Sequence, residues 1–153
     1  MIELTEHQHY YSYVIANECG RIDEALNLFT ENVFAPEMYW IAMPEMGILA
    51  ASRFNVILHV LSHRASNVTY LPFRTQPPPL SQHVSIAIVH VNGNHYIKVV
   101  LNGEYTMPTL VHHWPHHRLP DASTWTVPYQ RRFDMYQEYI ENICNQDYAN
   151  LGD

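Results

Sequence analysis

The stretch Val84-Ser85-Ile86-Ala87-Ile88-Val89-His90-Val91-Asn92-Gly93-Asn94-His95-Tyr96-Ile97-Lys98-Val99-Val100-Leu101 decides the fold. Asn92 and Gly93 at its centre tolerate the positive φ angles of a two-residue type I′ turn, and the β-branched runs on either side predict strands over 84–91 and 94–101. With Asn92 and Gly93 as the loop, Val91 faces Asn94, His90 faces His95, Ile88 faces Ile97 and Ile86 faces Val99. One face of this antiparallel hairpin is then aliphatic and ends in two histidines.

Upstream, Val56, Ile57, Leu58, Val60 and Leu61 form a short aliphatic run that reads as a buried strand over 55–61, with a shorter strand over 69–73. Gln76-Pro77-Pro78-Pro79 between them and the hairpin is an extended connector that cannot join a ladder. Before the first strand, Pro44 fits the first turn of a helix, where its missing N–H has no partner, and Glu45 complements the positive end of the dipole; the helix runs to about Ser52. Leu4, Tyr11, Val14 and Ile15 recur at helical spacing, as do Ile22, Ala25, Leu26 and Phe29, predicting two further helices separated near Gly20.

Downstream of Asn102-Gly103, Pro108, Pro115, Pro120 and Pro128 argue for irregular, surface-following chain with Trp114 and Trp125 as anchors. Residues 129–144 read as a closing helix, because Tyr129, Phe133, Tyr136, Ile140 and Ile143 recur at three and four while Arg131, Arg132, Glu138 and Glu141 fall elsewhere. The sum is one α/β (α+β) domain over 1–144, a small mainly antiparallel sheet with flanking helices, and a tail over 145–153.

Composition narrows the function. The chain has 153 residues, enough for one domain burying roughly two thirds of its unfolded surface. Apolar residues at 47% against 15% charged exclude a disordered chain. A formal charge of −7, with eight scattered Lys and Arg, argues against nucleic-acid binding. No apolar run is long enough to span a bilayer, and the acids in Met1-Ile2-Glu3-Leu4-Thr5-Glu6 do not suit a secretory leader. Cys19 and Cys144, distant and in no Cys-x-x-Cys pattern, fit a reducing compartment. An intracellular protein, cytoplasmic or nuclear, without cofactor and without a membrane partner, is expected.

Among residues able to carry chemistry, His95 begins a predicted core strand beside a tight turn, where a rigid scaffold holds an imidazole at the edge of a cleft. A neutral imidazole can take a proton from a thiol and return one to a leaving amine. The alternative is a hairpin-tip histidine paired with His90 or with water. His112, His113, His116 and His117 could offer imidazoles to zinc if they lay on a helix, but Pro115 argues against that helix and no cysteine is near, so the reading is a solvated loop and no residue is assigned to a metal. His7 and His9 point to opposite sides of a helix. Cys19 would gain thiolate character at a helix N-terminus, yet reads better as an inert cysteine at a helix junction, and Cys144 as a packing residue.

The run Trp40-Ile41-Ala42-Met43-Pro44-Glu45-Met46-Gly47-Ile48-Leu49-Ala50-Ala51-Ser52-Arg53-Phe54-Asn55-Val56 resembles a segment of ovarian-tumour (OTU) cysteine peptidase domains, in particular those of plant and fungal sequences related to transposable elements. Tyr70-Leu71-Pro72-Phe73-Arg74 with Pro77-Pro78-Pro79, then Gly93-Asn94-His95-Tyr96, then Trp125-Thr126-Val127-Pro128-Tyr129 follow in the order that family shows, so the resemblance spans residues 4–139.

The resemblance implies a papain-like OTU-type fold, a thiol-dependent ubiquitin isopeptidase activity, and ubiquitin or a ubiquitin-like protein as partner. It makes His95 the base. The family's nucleophile lies in an Asp-Gly-Asn-Cys segment upstream of the part that resembles residues 4–16, and residues 1–153 contain no such segment. Cys19 comes after that part and does not match it, and the Asn or Asp that many relatives place two residues after the histidine is Ile97 here. The expectation is a domain incomplete at its N-terminal side, with the base and without the nucleophile, and inactive alone because an imidazole with no thiolate to activate cannot transfer an acyl group. The alternatives are a non-catalytic ubiquitin-binding or interaction module and a transposon-derived relic without function.

Overall fold

Helix ends in the computed structural model, which describes residues 2–16, 18–27, 36, 37, 40, 42–62, 67–93 and 95–150, are set by burial more than by glycine. Helices α1 (Ile2–Glu6) and α2 (Gln8–Val14) occupy the first predicted helix. The break that follows is at Ala16, whose φ is 45°, and not near Gly20. Gly20 lies inside α3 (Glu18–Asn27), exposed, with open space where a Cβ would stand. Val14, Ile15 and Ile22 are all buried, and seating them in one core turns the chain where alanine must adopt the left-handed conformation. The end of the second predicted helix at Phe29 lies outside the described residues.

Helix α4 (Glu45–Phe54) starts directly after Pro44 with Glu45 in its first turn, as expected. Asn55 closes it in the left-handed conformation, φ 52°, with its N–H on the carbonyl of Ala51. The strand therefore starts later than predicted, as β1 (Ile57–Ser62). Gly47 is required within α4, because a Cβ there would sit 2.6 Å from the ring of Tyr70.

Strand β2 (Val68–Tyr70) pairs antiparallel with β1 and ends before Pro72, which has no N–H to give a ladder. The expected strand over 69–73 is thus shorter, and the N–H of Phe73 goes instead to Ser52 Oγ. Residues 76–79 carry no regular structure, and a short 3-10 turn (Leu80–Gln82) leads into β3 (Ser85–Val91), which lies parallel to β1. Strand β4 (His95–Val99) returns antiparallel, so the sheet is mixed, in the order β2-β1-β3-β4, with antiparallel outer pairs around a parallel centre.

The predicted hairpin forms, but its register is one residue off. Val91 pairs with His95, His90 with Tyr96, Val89 with Ile97, Ile88 with Lys98 and Ala87 with Val99. Asn92 and Gly93 both take positive φ, 53° and 80°. His90 and His95 consequently point to opposite faces, and the pairing of two histidines expected from a two-residue loop does not occur.

Each sheet face has its own cover. Leu58, Val60, Tyr70, Ile86, Ile88 and Tyr96 share one face, and Tyr70 meets α4 at Gly47, so this face lies under the helices. His59, Thr69, Ser85, Ala87, Val89, His95 and Ile97 share the other. There Tyr105 sits against the His59 ring and its hydroxyl is 2.8 Å from Ser85 Oγ. The chain then runs along β2, where the N–H of Thr69 meets the carbonyl of Thr109 and the N–H of Val111 that of Thr69.

Trp114 and Trp125 are anchors as predicted, 3% and 0% exposed, with indole N–H groups donating to the carbonyls of Pro72 and Thr75. The chain holding them is more regular than its prolines suggest. Helix α5 (His113–His117) forms despite Pro115, and a 3-10 segment (Pro120–Tyr129) runs into α6 (Gln130–Asn150). Pro115 is two residues past the start of α5, within the first turn, where the N–H it lacks would have no helical acceptor. The helix continues to Asn150, so the tail expected from residue 145 is helical over its first part. Among the described residues no helix is long and apolar enough to cross a membrane.

Candidate functional site

His95 is the first residue of β4, directly beyond the turn, and its side chain is exposed. Because β4 is an outer strand, one side of its backbone is unpaired within the sheet. The imidazole shares its face with Val91 across the ladder and with Ile97, which is 43% exposed. Among the described residues no side chain hydrogen-bonds to its ring. Tyr96 turns to the other face, where it packs against the core and stacks on His90 at 4.8 Å between ring centroids. The strand thus fixes the backbone of His95 through its neighbour while the imidazole stands free.

Cys19 is in a different layer. It lies in the first turn of α3, half-buried against the core, beside a pocket of about 160 Å³ lined also by Leu4, Gln8 and Asp23. A helix N-terminus favours thiolate, yet burial outweighs it and raises the thiol above its usual pKa. Helix α3 packs on α2, on the helical side of the sheet, whereas His95 faces the opposite side. The structure does not bring Cys19 and His95 together. The Cys144 side chain lies outside the described residues.

Two histidines that the sequence reading passed over are the most constrained. His83 has both ring nitrogens engaged, Nε2 at 2.9 Å from the carbonyl of Pro78 and Nδ1 at 2.6 Å from the Tyr129 hydroxyl. A carbonyl only accepts, so Nε2 carries the hydrogen, and Nδ1 pairs with the Tyr129 hydroxyl. With its ring against Trp125 at 4.8 Å, His83 is a clamp between the polyproline connector and the end of the 3-10 segment.

His59 is fully buried in the centre of β1. Its Nδ1 is 3.1 Å from Thr69 Oγ1, its Nε2 has no partner among the described residues, and burial, reinforced by the Arg132 guanidinium, pushes its pKa down to about 4. The signal in sequence was a single polar residue inside the aliphatic run 56–61, where flanking burial leaves no solvent for a charge.

The four histidines around Pro115 are brought together by α5. His112 and His116 are exposed, with ring centroids 5.0 Å apart; His113 and His117 are half-buried and 6.3 Å apart. Burial, with the neighbouring imidazoles adding to it, lowers the pKa of His113. The Tyr10 hydroxyl donates to the carbonyl of His117 and Arg118 lies over Trp114, so α5 is fastened to α2 and to the core. Among the described residues no three His, Cys, Asp or Glu side chains converge as a metal-binding set.

Comparison with protein-family models, with curated proteins and with solved structures gave no match to this chain.

Proposed function

We propose that this chain is an OTU-like cysteine peptidase domain of the transposable-element-related type, in which His95 is the base and residues 1–153 carry no nucleophile. By itself it binds ubiquitin or a ubiquitin-like protein without cleaving it. The observation that carries the reading is His95 itself: an exposed imidazole on the first residue of an outer strand, just past a tight turn, with the following Tyr96 half-buried against the core. That is the place a base needs in order to reach a thiol presented from another segment. The mixed sheet under a helical layer is compatible with the papain-like fold this implies.

Ile86, Ile88 and Tyr96 on the helical side of β3 and β4 are only partly buried, which supports the reading because a further helix would cover them. The non-catalytic form of the proposal is favoured by Cys19, which sits in another layer with a raised pKa.

Titrating the ¹⁵N-labelled chain with ubiquitin tests it. Amide shifts should concentrate on β4 and the turn before it, with no cleavage of diubiquitin. Absence of shifts at millimolar ubiquitin removes ubiquitin as the partner, and cleavage that survives His95→Ala removes His95 as the base. Reading the coding frame upstream of Met1 is the complementary test: an Asp-Gly-Asn-Cys segment there restores the peptidase, and a continuous frame without one leaves only the binding module.

A further inference from the structure

Helix α5 forms around Pro115, so the histidines on either side of that proline lie along a helix and not in a solvated loop. Residues four apart on a helix lie one above the other on one face. The sequence His112-His113-Trp114-Pro115-His116-His117 therefore holds two pairs of imidazoles one turn apart, with their rings tilted to each other. Trp114 between them is buried and anchored through its indole to the carbonyl of Pro72, which fixes the helix so that its other side meets solvent.

The two pairs are not equivalent. His112 and His116 are exposed, and neither ring is engaged in a hydrogen bond among the described residues. Two imidazoles on one metal ion, with metal–nitrogen bonds of about 2.1 Å at angles between square and tetrahedral, stand with ring centroids roughly 4.5–5.5 Å apart. The His112–His116 pair, at 5.0 Å, already meets that spacing. His113 and His117, at 6.3 Å and half-buried, do not.

We propose that His112 and His116 form a two-imidazole chelating site for one divalent transition-metal ion on the solvent face of α5. The ion class follows from the donors. Imidazole suits Cu²⁺, Ni²⁺ and Zn²⁺, with Cu²⁺ bound tightest by the general order of first-row affinities, while Mg²⁺ and Ca²⁺ demand oxygen. Two protein ligands leave the remaining coordination positions to water or to a group from outside the chain. The site also has a structural consequence. Helix α5 has five residues and no side-chain cap, so an ion bridging consecutive turns holds closed a helix that has little intrinsic stability.

Calorimetric titration of the full chain with CuCl₂, NiCl₂ and ZnCl₂, each against His112→Ala, His116→Ala, His113→Ala and His117→Ala, tests the site. The expected result is one ion per chain in the order Cu²⁺ tightest, with affinity falling at least tenfold in the His112 and His116 variants and less than threefold in the other two. Cu²⁺ bound to the wild type should show magnetic coupling to two nitrogens by electron paramagnetic resonance, reduced to one in His116→Ala. Metal should raise the Tm of the wild type and not of His116→Ala. Equal affinities across all four variants overturn the proposal, as does loss confined to His113→Ala or His117→Ala. Should an alanine variant fail to fold, His116→Gln, which keeps bulk and polarity, carries the same comparison.

Discussion

His59 shows how much a single side chain can cost when the fold surrounds it. It is fully buried between β2 and β3, facing Tyr105, and among the described residues Thr69 is its one side-chain hydrogen-bond partner. Its ordinary pKa of 6.5 falls to about 4 in the fold, so the unfolded chain takes up a proton that the folded chain refuses. Stability from this group is complete above pH 6.5 and is lost as the pH falls toward 4, by about 1.4 kcal/mol per pH unit and roughly 3 kcal/mol in all. Urea unfolding at pH 7.5 and pH 5 should show wild type losing about 2 kcal/mol more than His59→Phe over that interval, whatever the variant's absolute stability. Carboxylates titrate in both chains and cancel. Parallel pH profiles would mean that His59 takes up its proton as readily in the fold as in the unfolded chain.

Individual elements show where pattern reading is reliable and where it fails. Helices α4 and α6, strand β1 and the hairpin were visible because long apolar periodicities have few alternative explanations. The sequence predicts a break between the first two helices near Gly20, whereas it lies at Ala16. The difference is measurable. Ala16→Gly removes the strain of a left-handed alanine, and Gly20→Ala fills open space within a helix, so each should stabilise by about 1 kcal/mol and raise Tm by roughly 2–4 °C. A break at Gly20 would instead make Gly20→Ala destabilising and leave Ala16→Gly without benefit. The hairpin register escaped for another reason. Ile86, Ala87, Ile88 and Val89 are apolar on both faces, so no alternation distinguishes one register from the next, and the choice falls to the turn at Asn92 and Gly93 and to the packing of Tyr96.

Over the whole molecule, the N-terminal helices are tied to the sheet side by a polar junction that no local pattern reveals. Arg74 donates through Nε and Nη2 to one carboxylate oxygen of Glu3, at 2.9 and 2.7 Å, and Tyr11 Oη donates to the same oxygen at 2.7 Å. Both charged side chains are largely buried, 9% and 17% exposed. Glu3→Gln would leave the guanidinium half-desolvated without its counter-charge and should destabilise by about 2–4 kcal/mol, and the Glu3→Gln, Arg74→Met double variant should lose less than the two single losses added together. Equilibrium unfolding of the four chains measures the coupling; strict additivity would show that the junction contributes nothing as a pair. The candidate site has the same dependence on long-range placement. His95 was found in the sequence because a turn and a strand mark it locally, while its separation from Cys19 is a property of layers that only packing creates.

What the sequence by itself determined is whatever short-range physics controls: an α+β composition, the helix after Pro44, the hairpin about Asn92-Gly93, the two tryptophan anchors and an imidazole at the head of β4. The tertiary structure alone decided the parallel β1–β3 pairing, the hairpin register, the burial of His59 and the formation of α5 with its paired histidines. The division has one cause. Periodicity, caps and turn residues act over a few positions and leave their mark in the string, whereas strand order, buried charge and the seating of Trp114 depend on groups far apart in the chain, whose energies exist only once they meet.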